Sequence, residues 1–267
     1  MKEKTFTVAD NTQVVCAVWD SVKKPIGVIQ IIHGIHDTIH TYDRFAKFMN
    51  RNGYIVFGVN RPTCTIRHSG PCCFDKSVEL QIRIMKHLAA KYNLPLFLFG
   101  YGYGGIITQS ILQNSQIPAA GVCMANSGKY SVFLLNMAIM FAWVCSKLFG
   151  KDAPANILNR LALGRRKLHS VPKCTYGFYL SLFHGMKTIK PYAPFDTPIL
   201  MISGPHDSFA TNPSFSRTLY NAYRDNGIMQ VTMIVYPDKN DNLFMEMNFG
   251  TMPNDILEFF GNALGRK

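Results

Sequence analysis

The sequence predicts an α/β fold: a mostly parallel central sheet flanked by helices on both faces, with a helical cap inserted late in the chain. Two observations carry this expectation. Short apolar runs rich in β-branched residues alternate with segments of helical periodicity, the pattern of parallel strands joined by crossover helices. One stretch, residues 128–194, breaks that alternation and reads as an insertion. A chain of 267 residues with 48% apolar residues can bury a full core, so one domain spanning 1–267, with the cap at about 128–194, is expected.

Residues 1–12 are polar and lead directly into an alternating stretch ending at Trp19, without the basic, apolar and small-residue order of a signal peptide. A cytoplasmic location is the expectation. Residues 25–32 (PIGVIQII) read as a buried strand running into His33-Gly34. Residues 41–52 place Tyr42, Phe45, Phe48 and Met49 at helical spacing, with Gly53 as the stop. Residues 54–59 (YIVFGV) form a second strand. An irregular stretch, 60–76, follows. Residues 77–92 form an amphipathic helix with Ser77 placed as its cap. A third strand at 96–99 precedes a glycine-rich turn and a helix over 104–113. Further strands are expected at 119–124, 198–203 and 230–236, and helices at 213–226 and 255–264.

Within the insertion, residues 130–149 (YSVFLLNMAIMFAWVCSKLF) are long enough to cross a bilayer. Ser131, Asn136 and Ser146 interrupt the run, and it lies between two halves of a sheet, so a buried or interfacial lid helix is the better reading. The net charge of +12 suits any anionic surface, with an anionic membrane as the partner to consider. The basic residues read as dispersed apart from Arg165-Arg166-Lys167, and no nucleic-acid motif is present, so no nucleic-acid partner is expected. Seven cysteines, an odd number, show neither CxxC pairs nor histidine partners at metal spacing. They read as free buried thiols; no metal and no cofactor are expected.

The residues that should carry chemistry follow the third strand. Gly100-Tyr101-Gly102-Tyr103-Gly104-Gly105, between a strand and a helix, has the context of a nucleophile elbow, whose central residue should be serine. Here it is Gly102. Glycine tolerates the strained backbone of that position and supplies no atom that could attack a carbonyl.

At this point the chain resembles the monoacylglycerol lipase and lysophospholipase branch of the α/β-hydrolases, the serine aminopeptidase-like hydrolases, over nearly its whole length. The likeness rests on Ile31-Ile32-His33-Gly34-Ile35, Tyr42-Asp43-Arg44-Phe45, and Phe99-Gly100-Tyr101-Gly102-Tyr103-Gly104-Gly105. It continues with Leu158-Asn159-Arg160-Leu161 and residues 176–186 in the cap, residues 200–207 ending Gly204-Pro205-His206-Asp207, and Val235-Tyr236-Pro237. The resemblance implies that the backbone amides of Ile35 and Tyr103 form an oxyanion hole, that His33, Gly34 and Tyr101 line the binding site, and that Asp207 is the acid of the triad. The triad histidine, expected shortly after Tyr236-Pro237, aligns with Asp241; no histidine follows His206. The chain departs further from the family at Asn60-Arg61-Pro62-Thr63-Cys64-Thr65, where relatives carry an Asp-His-x-Gly-His-Gly-like turn, and in a shortened cap between His169 and Lys173.

Loss of the nucleophile or base of a serine hydrolase costs on the order of 10⁶ in rate, about 8 kcal/mol, and losing both costs little more. The resemblance therefore implies a degenerate hydrolase, non-catalytic by the Ser-His-Asp route, that keeps a pocket for a lipid or acyl ligand. The alternative is an active carboxylic-ester hydrolase acting on lysophospholipid or monoacylglycerol through a surrogate nucleophile or base. Tyr101, Tyr103, Cys64, His36, His40 and His206 are the groups near enough in sequence to weigh, and Asp207 with Asp241 would form a carboxylate pair. Each has a plainer reading as a packing or surface residue.

Overall fold

A computed structural model describes residues 2–7, 13–35, 37–60, 74–163, 173–193, 196–204, 213–236, 247 and 250–265. The strands are β1 (Lys2–Thr7), β2 (Gln13–Trp19), β3 (Gly27–Ile32), β4 (Tyr54–Val59), β5 (Leu96–Tyr101), β6 (Gly121–Ala125), β7 (Ile199–Ser203) and β8 (Val231–Val235). They form one sheet in the order β1-β2-β4-β3-β5-β6-β7-β8. Pairings β1 with β2 and β2 with β4 are antiparallel; all the others are parallel. The expected α/β architecture with a mostly parallel sheet is therefore the one observed.

Strand β1 is an addition to the sequence expectation. Its residues, KEKTFT, are mostly polar and carry no apolar run, yet they pair with β2 from Lys2 opposite Val18 to Thr7 opposite Gln13. An outermost strand needs only one partner, and lysines along it discourage pairing with another chain.

The helices are α1 (Asp43–Arg51), entered through a short 3₁₀ turn at Ile39–Tyr42, α2 (Phe74–Tyr92), α3 (Tyr103–Asn114), α4 (Val132–Phe149), α5 (Asn156–Leu163), α6 (Tyr176–Thr188), α7 (Pro213–Asp225) and α8 (Met252–Ala263). Side chains alternate through the sheet with period two. Val28, Ile32, Leu98 and Met124 face a core shared with Ile84 of α2, Ile107 of α3 and Tyr223 of α7. Ile29, Ile31, Phe97 and Phe99 face the other layer, with Phe45 of α1 and Phe260 of α8. Burial on both faces explains why these strands read as continuous apolar runs.

Two helix starts and the burial of one helix differ from the sequence reading for physical reasons. Helix α2 begins at Phe74, and Ser77 is a buried residue of its first turn, not the cap. The backbone N–H of Phe74 instead donates to the Ser181 hydroxyl of α6 at 2.7 Å, a cap supplied from more than a hundred residues away. Helix α8 starts three residues early because Pro253 fits its first turn, where no N–H is needed. Helix α4 is largely exposed, so a buried lid is ruled out: only Leu135, Ala142, Cys145 and Ser146 are covered along it.

Cys16, Cys123 and Cys145 are free and buried, as expected, and Cys174 is buried; Cys64, Cys72 and Cys73 lie outside the described residues. Helix α4 is long and apolar enough, by length and composition, to cross a bilayer.

Candidate functional site at the switch point of the sheet

The chain leaves β3 for β4 on one side and leaves β5 for β6, β7 and β8 on the other. The neighbouring strands β3 and β5 thus form the topological switch point, and the crevice beyond their carboxyl ends is where open α/β sheets bind ligands. Ile32 pairs with Gly100 in register, so the loop starting at His33 and the turn starting at Gly102 emerge side by side.

Gly102 joins β5 to α3 with φ 53° and ψ −114°, a backbone conformation that side chains other than glycine rarely adopt. Its N–H donates to the Ala125 carbonyl of β6 at 2.8 Å, and its carbonyl accepts from Gly105 and Ile106, which holds the turn tightly. Among the described residues, a Cβ added at Gly102 would meet nothing within 4 Å. The glycines on either side are required by contact. A Cβ at Gly104 would lie 1.8 Å from the Ile32 carbonyl oxygen, and one at Gly100 would lie 2.4 Å from Thr108 Oγ1. This strand, sharp turn and helix arrangement has the geometry of a nucleophile elbow.

Tyr103 is the first residue of α3, where the backbone amides have no acceptor within the helix and the dipole favours negative charge. Across the switch point, Ile35 is half-buried in the loop after β3. Buried His33 precedes it, with Nδ1 2.8 Å from the Gly34 carbonyl oxygen. A carbonyl only accepts, so Nδ1 is the donor in this contact. The Gly34 N–H donates to the Tyr42 hydroxyl at 3.2 Å, and that hydroxyl donates to Asp37 Oδ2 at 3.0 Å. A Cβ at Gly34 would fall 2.3 Å from the same carboxylate oxygen. Burial first, then the Asp37 charge, pushes the Tyr42 phenol well above its ordinary pKa. Sequence reading assigned Tyr42 to a helix face and overlooked Asp37, whose role depends on a loop that folds back.

The two tyrosines flanking Gly102 turn to opposite sides of the sheet. Tyr101 packs edge-on against Tyr42, their ring centroids 6.4 Å apart, in one core. Tyr103 meets Phe74 of α2 and Phe178 of α6 in the other. Phe178 thereby packs α6 against the first residue of α3. A Cβ at Gly185 would strike the Phe74 ring at 2.1 Å, so this glycine lets α6 settle directly on α2. Asn159, fully buried, fastens α5 to the start of α6. Its amide donates to the Cys174 carbonyl at 2.8 Å and accepts from the Cys174 N–H at 2.9 Å. The Tyr236 hydroxyl at the end of β8 donates to Asp255 of α8.

His40 is exposed, with Nε2 3.2 Å from Glu3, in a surface pair of the edge strand. Asp207, Asp241, His206, His36 and Cys64 lie outside the described residues. Among the described residues, no group of three or more His, Cys, Asp or Glu side chains is placed to hold a metal ion.

The model of the family described as "Serine aminopeptidase, S33" matches residues 23–248. No curated protein matches in sequence. Among solved structures, the chain is similar to a highly thermostable carboxyl esterase from Bacillus coagulans, with a TM-score of 0.78, 14% identity and 98% of each chain covered. It is also similar to a soluble variant of monoglyceride lipase from Saccharomyces cerevisiae, with a TM-score of 0.74, 14% identity, and 98% of this chain and 94% of that one covered. A third likeness is to the monoacylglycerol lipase of Paleococcus ferrophilus, with a TM-score of 0.68, 18% identity, and 94% of this chain and 100% of that one covered. At these identities the structures bear on the fold, and the family match carries the assignment. This chain has an α/β-hydrolase fold and belongs to the serine aminopeptidase S33 family.

Proposed function

We propose that this protein is an α/β-hydrolase that has lost Ser-His-Asp catalysis and acts by binding a lipid or acyl ligand in the crevice above Gly102. The observation that carries the reading is the glycine-tipped turn: Gly102 keeps the strained conformation of an elbow and offers no nucleophilic atom. On this reading the amides of Ile35 and Tyr103, which depend on backbone alone, would still meet a carbonyl or carboxylate oxygen. Asp207 would be the remaining triad acid, and Asp241 would stand in the histidine position with no imidazole to move a proton.

An ester hydrolase acting on lysophospholipid or monoacylglycerol through a surrogate group is the competing reading. Packing disfavours the nearest candidates, since Tyr101 and Tyr103 each turn into a core and a phenol without a base is a poor nucleophile.

A fluorophosphonate probe, which labels activated serines, tests the proposal. The purified protein should remain unlabelled under conditions that fully label an active serine hydrolase. Stoichiometric labelling would falsify it.

A further inference from the structure

We infer that the cap docks this protein onto the surface of an anionic lipid bilayer, through α4 and the adjoining turn of α5. The docking is independent of whether the crevice binds a ligand or is catalytically active.

Helix α4 is apolar on nearly every side, the composition of a helix that is covered all round. Yet only 22% of it is buried within the chain. Its covered residues form a narrow stripe, Leu135, Ala142 and Cys145, against α6. That stripe runs along the helix and holds it flat on the cap, which is the posture of a helix lying in an interface, not crossing one. The rest presents large apolar side chains to solvent. Phe133 is 76% exposed, Leu148 72%, Phe149 65%, Met140 54% and Trp143 54%, and Ile157 of α5 extends the surface at 56%. Contiguous exposure of this kind marks a docking face.

Charge identifies the occupant. Residues 128–194 hold ten Lys and Arg residues against one Asp, so the cap carries nine of the chain's twelve net positive charges. The basic residues are spread over the whole chain, and the net charge gathers in the cap because the cap holds a single carboxylate against ten cations. Lys147 emerges from the apolar face itself, with Nζ 5.8 Å from the Trp143 ring centroid, and Lys187 reaches across from α6 to donate to Asn136 Oδ1 of α4 at 2.7 Å. Long cationic side chains rising beside exposed aromatics suit a headgroup region, where the stem stays in apolar surroundings and the ammonium meets phosphate. A second copy of the chain would supply the apolar cover but would set two strongly positive caps face to face. An anionic bilayer supplies both the apolar depth and the opposite charge.

Flotation of the full chain with vesicles tests this, using phosphatidylcholine alone and phosphatidylcholine mixed with phosphatidylserine. The protein should float with the mixed vesicles, at least about tenfold more tightly than with the neutral ones, and lose that preference in high salt. Phe133→Asp with Trp143→Asp should abolish flotation while leaving the melting curve unchanged, since both side chains are exposed. Lys147→Glu with Lys151→Glu, the latter an exposed residue just past the end of α4, should weaken binding to the anionic vesicles about tenfold or more. The inference fails if the folded protein floats with neither vesicle, binds both equally, or keeps its binding in the aspartate variant. It also fails if sedimentation shows a dimer that the aspartate variant disrupts, for the face would then cover a second copy.

Discussion

The Tyr42 hydroxyl donates to Asp37 Oδ2 at 3.0 Å while accepting the Gly34 N–H at 3.2 Å, so one buried phenol fixes both ends of the loop that follows β3. That loop delivers Ile35 to the switch point, and its shape depends on this pair. Tyr42→Phe would leave the Gly34 amide without this acceptor and Asp37 without this donor. We expect a loss of about 2 kcal/mol in urea unfolding, the combined worth of the two hydrogen bonds this hydroxyl makes.

Alkaline pH should unfold the protein through its buried phenols. Burial first of all raises Tyr42, Tyr179 and Tyr223 above the ordinary tyrosine range. A phenol titrates near pH 10 in the unfolded chain and higher in the folded one, so the native state binds the proton more tightly. The stability this contributes is complete below about pH 10 and is lost as pH rises beyond it. Tyr223 offers the cleanest check, because its hydroxyl is buried without a hydrogen-bond partner among the described residues. Tyr223→Phe should be close to neutral at pH 7 and should make the loss of Tm above about pH 10 shallower.

Two glycine substitutions should change stability in opposite directions. Gly104→Ala drives a methyl into the Ile32 carbonyl, where neither backbone can retreat without separating α3 from β3. We expect a loss of about 3 kcal/mol or more. Gly261 lies within α8 with nothing near its Cβ position, so Gly261→Ala should stabilise by about 0.5–1 kcal/mol through helix propensity and reduced freedom of the unfolded chain. Chemical denaturation of the two variants checks both signs.

Restoring the missing groups should restore chemistry only when both return. Gly102→Ser places its Cβ clear of the described residues but on a strained backbone, at a cost of about 1–3 kcal/mol in stability. Alone it should give little hydrolysis of a short acyl ester, because a serine without a base is a weak nucleophile. Combined with Asp241→His it should raise the rate at least about 10³-fold above either single change, since nucleophile and base act as a unit. Additive or absent gains would remove position 241 from the site.

Which features were written in the chain follows from how far apart their causes lie. Strands β3 to β7 were legible because burial on both faces demands an unbroken apolar run, and Gly102 was legible because a sharp strand-to-helix turn is local. Helix α2 began elsewhere than its own residues suggested because its first N–H is capped by Ser181, a contact made only after α6 docks. Strand β1 was invisible because its pairing with β2 repays polar residues that have no intrinsic preference for a sheet. The lid helix is the sharpest case. Its apolar composition could be read directly, but composition alone suits a core helix and an interfacial one equally. Only the placement of α4 on α6, with one narrow stripe covered and the rest facing outward, shows that it is not a core helix.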